Sequence, residues 1–126
     1  MRPRIVAGNW KMNATAASAR ELARAVADGA KAVRGVTTIV CPPFPYLPAV
    51  AEALAGSNVA LGAQNCHSET GGAYTGEVSA PMLLDVGCKY VIVGHSERRH
   101  GMGESDALVN YKLHTAIEAG LHVILC

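Results

Sequence analysis

Short apolar runs rich in β-branched residues recur along the chain, and stretches with apolar positions at helical spacing separate them. The runs are Arg4–Asn9 around Ile5 and Val6, Val36–Cys41, Asn58–Ala63, Lys89–Gly94 and Leu121–Cys126. Their apolar positions are continuous rather than alternating. That pattern predicts strands buried on both faces, as in a parallel sheet.

Four helices are predicted between the strands. Ser18-x-x-Glu21 reads as a capping box opening the first, with Leu22, Val26 and Val33 on its apolar face and Ala30 between them. The second covers Pro45–Ala55, with Leu47, Val50, Ala51 and Leu54 on one side and Pro48 in the first turn. The third covers Ala80–Val86. The fourth covers Ser105–Ala119, with a stripe of Val109, Leu113, Ala116 and Ile117, and Gly120 as its stop. Strict alternation of strand and helix implies an α/β fold with a parallel sheet.

Periodicity does not separate an open doubly wound sheet from part of a (β/α)₈ barrel. The first turn does carry information: a dinucleotide fold would place G-x-G-x-x-G there, and this chain has Gly8-Asn9-Trp10-Lys11-Met12-Asn13 instead.

Composition narrows the functional classes. Half of the 126 residues are hydrophobic and 17% are charged, with a mean hydropathy of +0.19, so disorder is not expected. The formal charge of +1 is spread along the chain with no basic stripe, which argues against nucleic acid. No apolar stretch approaches the roughly 18 residues of a membrane span. The first residues run straight into a strand, leaving no room for a signal peptide, so a cytoplasmic location is expected. Cys41, Cys66, Cys88 and Cys126 form no C-x-x-C pair and no zinc-ligand spacing, and read as small buried hydrophobes. The five histidines are dispersed and form no metal pattern.

Several polar residues fall just after predicted strands: Asn9 and Lys11, Gln64 and Asn65, then His95, Ser96 and Glu97. In a barrel these strand ends converge on one face. Lys11 could supply a fixed positive charge for an anionic substrate. His95, where a strand turns into a helix, could donate a hydrogen bond to a carbonyl oxygen, and a helix N-terminus disfavours imidazolium. Ser96 lies outside any G-x-S-x-G elbow and reads as the cap of a short helix. No P-loop is present. Taken one at a time, each of these residues is more readily structural than functional.

Gly8–Asn13 resembles the first strand and loop of triosephosphate isomerases, and Tyr90–Arg99 resembles their fourth strand and its loop. Leu61–Asn65, Gly72–Ser79 and Gly103–Asp106 match in the same order and spacing, so the resemblance covers the whole chain. It implies a TIM-type parallel (β/α) barrel, of which this chain holds about the first half. It also implies a glycolytic and gluconeogenic isomerase that interconverts dihydroxyacetone phosphate and D-glyceraldehyde 3-phosphate through an enediol(ate). The implied catalytic residues are Lys11, His95 and Glu97. Lys11 stabilises substrate charge, His95 polarises the carbonyl as a neutral imidazole, and Glu97 supports Lys11. Asn9 would bind substrate oxygen and orient Lys11, with Cys126 and Ser96 packing behind. No metal or organic cofactor is implied. Residues 66 to 79 would form a projecting loop, with Thr75 near its tip reaching a partner in a homodimer.

Cys126 closes an apolar run, which fits either a terminal edge strand or a single barrel domain, residues 1–126, cut after its fifth strand. On the second reading the family's glutamate base, lid and most phosphate loops lie beyond this sequence. The chain alone would then be inactive. The alternative function is a non-catalytic half-barrel that self-associates or complements a C-terminal half.

Overall fold

A computed structural model describes residues 1–126. Five strands appear where the apolar runs predict them: β1 (Ile5–Asn9), β2 (Thr37–Cys41), β3 (Val59–Ala63), β4 (Tyr90–Val93) and β5 (His122–Leu125). They form one parallel sheet in the order β1-β2-β3-β4-β5. Each strand lies beside its predecessor, with no reversal of direction across the sheet. A doubly wound sheet needs such a reversal, so this is a curled half-barrel. The register aligns Asn9 with Cys41 and Val93 with Leu125, so the C-terminal strand ends share one rim.

Five α-helices connect the strands: α1 (Ala16–Gly29), α2 (Leu47–Leu54), α3 (Ala80–Asp85), α4 (Ser96–Gly101) and α5 (Asp106–Ala119). That is one more than the four read from periodicity: α4, without an apolar stripe, is the short helix expected after His95. The segment Pro45–Ala55 divides into a 3₁₀ turn at Phe44–Tyr46 and α2. The box that opens α1 is displaced: Thr15 is the N-cap and Ser18 its reciprocal partner, not Ser18 with Glu21. Gly120 ends α5 in the left-handed conformation, as predicted.

The main core lies between the helices and the outer face of the sheet. Val40 and Val91 point into it, and their neighbours Ile39 and Ile92 point to the inner face. That alternation is the two-residue period of a pleated strand. On the inner face Ile39, Cys41 and Ile92 form a small layer. Gly62 completes it: a Cβ there would stand 2.7 Å from Cys41 Sγ.

Burial departs from the predictions at the edges. β1 is exposed along most of its length, with Ile5 45% and Val6 63% accessible, because no strand pairs with its outer edge. On α1 the buried face is Ala19, Ala23 and Ala27, with Ala30 at its end. Leu22 and Val33 are exposed. Small side chains let α1 pack closely against α2. On α5 the buried set is Val109, Lys112 and Ala116, so a lysine outside the predicted stripe is buried, while Leu113 is half-buried and Ile117 exposed. Cys41, Cys66 and Cys88 are buried, whereas Cys126 is exposed, against the reading of all four as core residues.

Candidate active site at the C-terminal rim of the sheet

The loop after β1 departs from ordinary backbone geometry. Lys11 has φ +56° and Ala14 has φ +89°, both in the left-handed region that side chains disfavour by roughly 1–2 kcal/mol. Side-chain amides hold this loop. Asn9 Oδ1 accepts from Lys11 N at 2.9 Å, and Asn13 Nδ2 donates to Trp10 O at 2.8 Å. From the end of β3, Gln64 Nε2 donates to both Lys11 O and Cys41 O, each at 2.8 Å. Such a conformation persists only where the surroundings enforce it, and these bonds do so here.

The turn after β4 is set by Gly94, whose φ is +75°. A Cβ there would meet Val109 Cγ1 at 2.8 Å and Arg99 Nη2 at 3.0 Å. The turn delivers His95 to the N-cap of α4, where its Nδ1 accepts from Glu97 N at 3.1 Å. An accepting nitrogen carries no proton, so the ring proton of the neutral imidazole sits on Nε2 and makes it a donor.

Glu97, two residues on, meets Lys11. Lys11 Nζ lies 2.6 Å from Glu97 Oε1, and both side chains are about half exposed. The hydrogen bond from Lys11 holds the Glu97 carboxyl below the ordinary carboxylate range. Asn9, Lys11, Gln64, His95 and Glu97 together line an open depression of about 190 Å³, with Phe44 on one wall.

A buried polar network supports the floor. Lys112 Nζ donates to Asn65 Oδ1 at 2.9 Å and to Glu104 Oε2 at 2.5 Å. Arg98 Nε donates to the same Glu104 oxygen at 2.9 Å. Burial works against ionisation of Glu104, but the bonds from Lys112 and Arg98 prevail and keep its carboxyl below the ordinary range. Arg99 ties the rim to β5 through Gly94 O, Asp106 and Cys126 O.

Of the residues singled out in the sequence, Asn9, Lys11, Gln64, Asn65, His95 and Glu97 come together. Ser96 does not line the depression, and it is the first residue of α4 rather than its cap, because the His95 ring takes that role. Cys126 is exposed and enters the rim through its carbonyl. Thr75 lies exposed in the 66–79 segment, away from the depression. Lys112, Glu104 and Arg98 were not recognised as a network. The readable sign was a lysine three residues after Val109 and four before Ala116, on the helix's buried face.

The depression can hold an anion beside Lys11 and offer neutral donors to a carbonyl or hydroxyl oxygen. The buried thiols are poor nucleophiles: burial pushes Cys41 and Cys88 up to about 12 and Cys66 to about 11. No group of three or more His, Cys, Asp or Glu side chains is arranged to hold a metal. No helix is long and apolar enough to cross a membrane.

A sequence model of the family described as triosephosphate isomerase matches residues 4–126. The triosephosphate isomerase of Carboxydothermus hydrogenoformans is 56% identical over the whole chain, which covers 50% of that relative. That of Thiobacillus denitrificans is 57% identical, with the same coverage. The crystal structure of triosephosphate isomerase from Bartonella henselae superimposes with a TM-score of 0.93 at 45% identity. It covers 99% of this chain, which spans 52% of that structure. The chain thus spans about half the length of the curated relatives it matches.

Proposed function

The chain belongs to the triosephosphate isomerase family, and on that premise we propose that it carries the electrophilic half of an aldose–ketose isomerase site. The substrate is a small phosphorylated triose, interconverted between dihydroxyacetone phosphate and D-glyceraldehyde 3-phosphate through an enediol(ate). The observation that carries this reading is the convergence of Lys11 and His95 on one depression. Charge develops on the carbonyl oxygen as a proton leaves the adjacent carbon. Donors fixed around that oxygen stabilise the transition state more than the ground state. Nε2–H of His95 supplies a neutral donor, and the Lys11 ammonium supplies fixed positive charge. Asn9 binds substrate oxygen and braces Lys11 through its backbone, and Glu97 anchors the ammonium.

Proton transfer also needs a base. Glu97 is the only carboxylate lining the depression, and Lys11 engages it. General-base catalysis is typically worth ~10²–10⁴-fold, so this chain by itself is expected to turn substrate over poorly or not at all. The further proposals are a glycolytic and gluconeogenic role in the cytoplasm, a single barrel domain that includes residues 1–126, and a homodimer joined through the 66–79 segment with Thr75 reaching the partner.

A second reading is a half-barrel that self-associates or pairs with a complementary half. It draws support from the unpaired edge of β1, with Ile5 and Val6 exposed, and from exposed Leu125 on β5. Unpaired strand edges promote association.

The discriminating experiment is an isomerase assay on the purified chain beside Lys11→Ala and His95→Gln. Turnover that both substitutions abolish supports a self-sufficient enzyme. Absence of turnover in a folded chain supports the half-site. Turnover indifferent to both substitutions refutes the assignment of these residues.

A further inference from the structure

We propose that the cleft between the C-terminal ends of α1 and α2 is a second anion site, which takes a small, multiply charged phosphate ligand on Arg24 and Arg34. The cleft is open, holds about 800 Å³ and shares no residue with the depression at the rim. That volume suits a small molecule. Gly35 and Asn58, which line it, lead into the starts of β2 and β3, so it lies at the opposite end of the sheet. The inference is independent of the isomerase reading.

Charge sets the class of ligand. Three cations, Arg24, Lys31 and Arg34, line the cleft against one carboxylate, Asp28. Lys31 takes that carboxylate, with Nζ 2.9 Å from Oδ1. Arg24, one helical turn before Asp28, makes no ion pair or hydrogen bond within the chain. Arg34 is held at one corner: its Nη1 donates to Lys31 O at 2.8 Å and to Val33 O at 3.0 Å, while Nε and Nη2 keep their hydrogens free. A guanidinium pinned in this way loses little freedom on binding, and its planar fork matches the oxygens of a phosphate.

Backbone donors add to the arginines. Gly35 has φ +73° and Gly56 has φ +76°. Both line the cleft, and neither peptide N–H donates to another group of the chain. A helix C-terminus by itself repels anions. Here the carbonyls at both helix ends are occupied. Arg34 covers Lys31 O and Val33 O, Asn58 Nδ2 donates to Ala30 O at 2.9 Å, and Ser57 N donates to Leu54 O at 2.9 Å. What the cleft offers a ligand is therefore chiefly N–H donors and positive charge.

The test titrates inorganic pyrophosphate into the ¹⁵N-labelled full chain at fixed ionic strength, followed by amide and arginine Nε NMR. It is repeated in Arg24→Gln, Arg34→Gln, Arg20→Gln and Lys11→Ala. Arg20 is exposed on the same helix but outside the cleft, so its loss removes the same charge without touching the site. Arg24 has no partner in the fold, so Arg24→Gln keeps the structure even if Arg34→Gln loosens the end of α1. The expected result is saturable shifts at Gly35, Gly56 and the Nε–H groups of Arg24 and Arg34. Affinity should fall about tenfold in Arg24→Gln and in Arg34→Gln, and should hold in Arg20→Gln and Lys11→Ala. Shifts that do not saturate, or equal weakening by Arg20→Gln, would show that only overall charge is read and would overturn the proposal. Shifts confined to Asn9, Lys11 and His95 and lost in Lys11→Ala would overturn it as well, while leaving the isomerase site standing.

Discussion

Lys11 Nζ meets Glu97 Oε1 at 2.6 Å, so the loop after β1 and the first turn of α4 are joined by one ion pair across the rim of the sheet. The pair does two things at once. It fixes an ammonium that would otherwise sweep through solvent, and it occupies the only carboxylate of the depression.

The pair makes stability depend on acid in a defined direction. The Glu97 carboxyl is depressed in the folded chain, chiefly by its hydrogen bond with Lys11. Its contribution is therefore complete above the ordinary value of 4.5 and disappears as pH falls through the lower folded value. Glu97→Gln should flatten the acid limb of a plot of stability against pH. The effect is small, since solvent and salt screen a half-exposed pair. Chemical denaturation of both proteins across that range checks it, and parallel acid limbs would count against the pair.

The buried cluster should respond more strongly. The Glu104 and Lys112 side chains are 3% and 5% exposed. Removing Lys112 leaves the Glu104 carboxylate with Arg98 alone, and breaking a buried pair costs up to about 3–5 kcal/mol. Lys112→Met is expected to destabilise by that order, and adding Glu104→Leu should recover part of the loss. Equilibrium unfolding of the two single variants and the double variant tests the coupling. Additive losses would contradict it.

Some of this was legible in the sequence and some was not. The strands announced themselves because each is a short, β-branched apolar run, and the Gly120 stop and the α2 face were read correctly. Lys112 escaped because a lysine on a helix is normally solvated. Only the tertiary placement of Glu104 and Asn65 makes its burial tolerable. α4 carries no periodicity in its six residues and was legible only through the strand-to-helix turn at His95 and Ser96. The convergence of Asn9, Lys11, His95 and Glu97 was legible from their positions after strands. The Gln64 clamp was not, since nothing local reveals that its amide reaches Lys11 and Cys41.

His95 serves both as helix cap and as proposed electrophile, and the two roles can be separated. Asparagine is among the best N-caps, so His95→Asn should leave stability near that of the parent chain. His95→Ala should lose on the order of 1 kcal/mol. Neither variant presents an imidazole Nε2–H. Thermal unfolding measured beside ligand binding distinguishes the roles, and equal stability losses would show that the Glu97 N–H bond contributes little.

The inner face of the sheet leaves no room at Gly62. A Cβ there would lie 2.7 Å from Cys41 Sγ, 3.2 Å from Ile39 Cγ2 and 3.3 Å from Tyr90 Cβ. Gly62→Ala is expected to destabilise by roughly 1–3 kcal/mol through overpacking. Pairing it with Cys41→Ala should cost less than the sum of the single changes. Melting curves of the four proteins decide the matter.

The central claim is that Lys11 and His95 form a binding site for a triose phosphate. Its most direct test is titration of dihydroxyacetone phosphate into the ¹⁵N-labelled full chain, followed by amide NMR. The account predicts saturable shifts concentrated at Asn9, Lys11, Gln64 and His95 that vanish in Lys11→Ala. Shifts located elsewhere, or unchanged by that substitution, would contradict it.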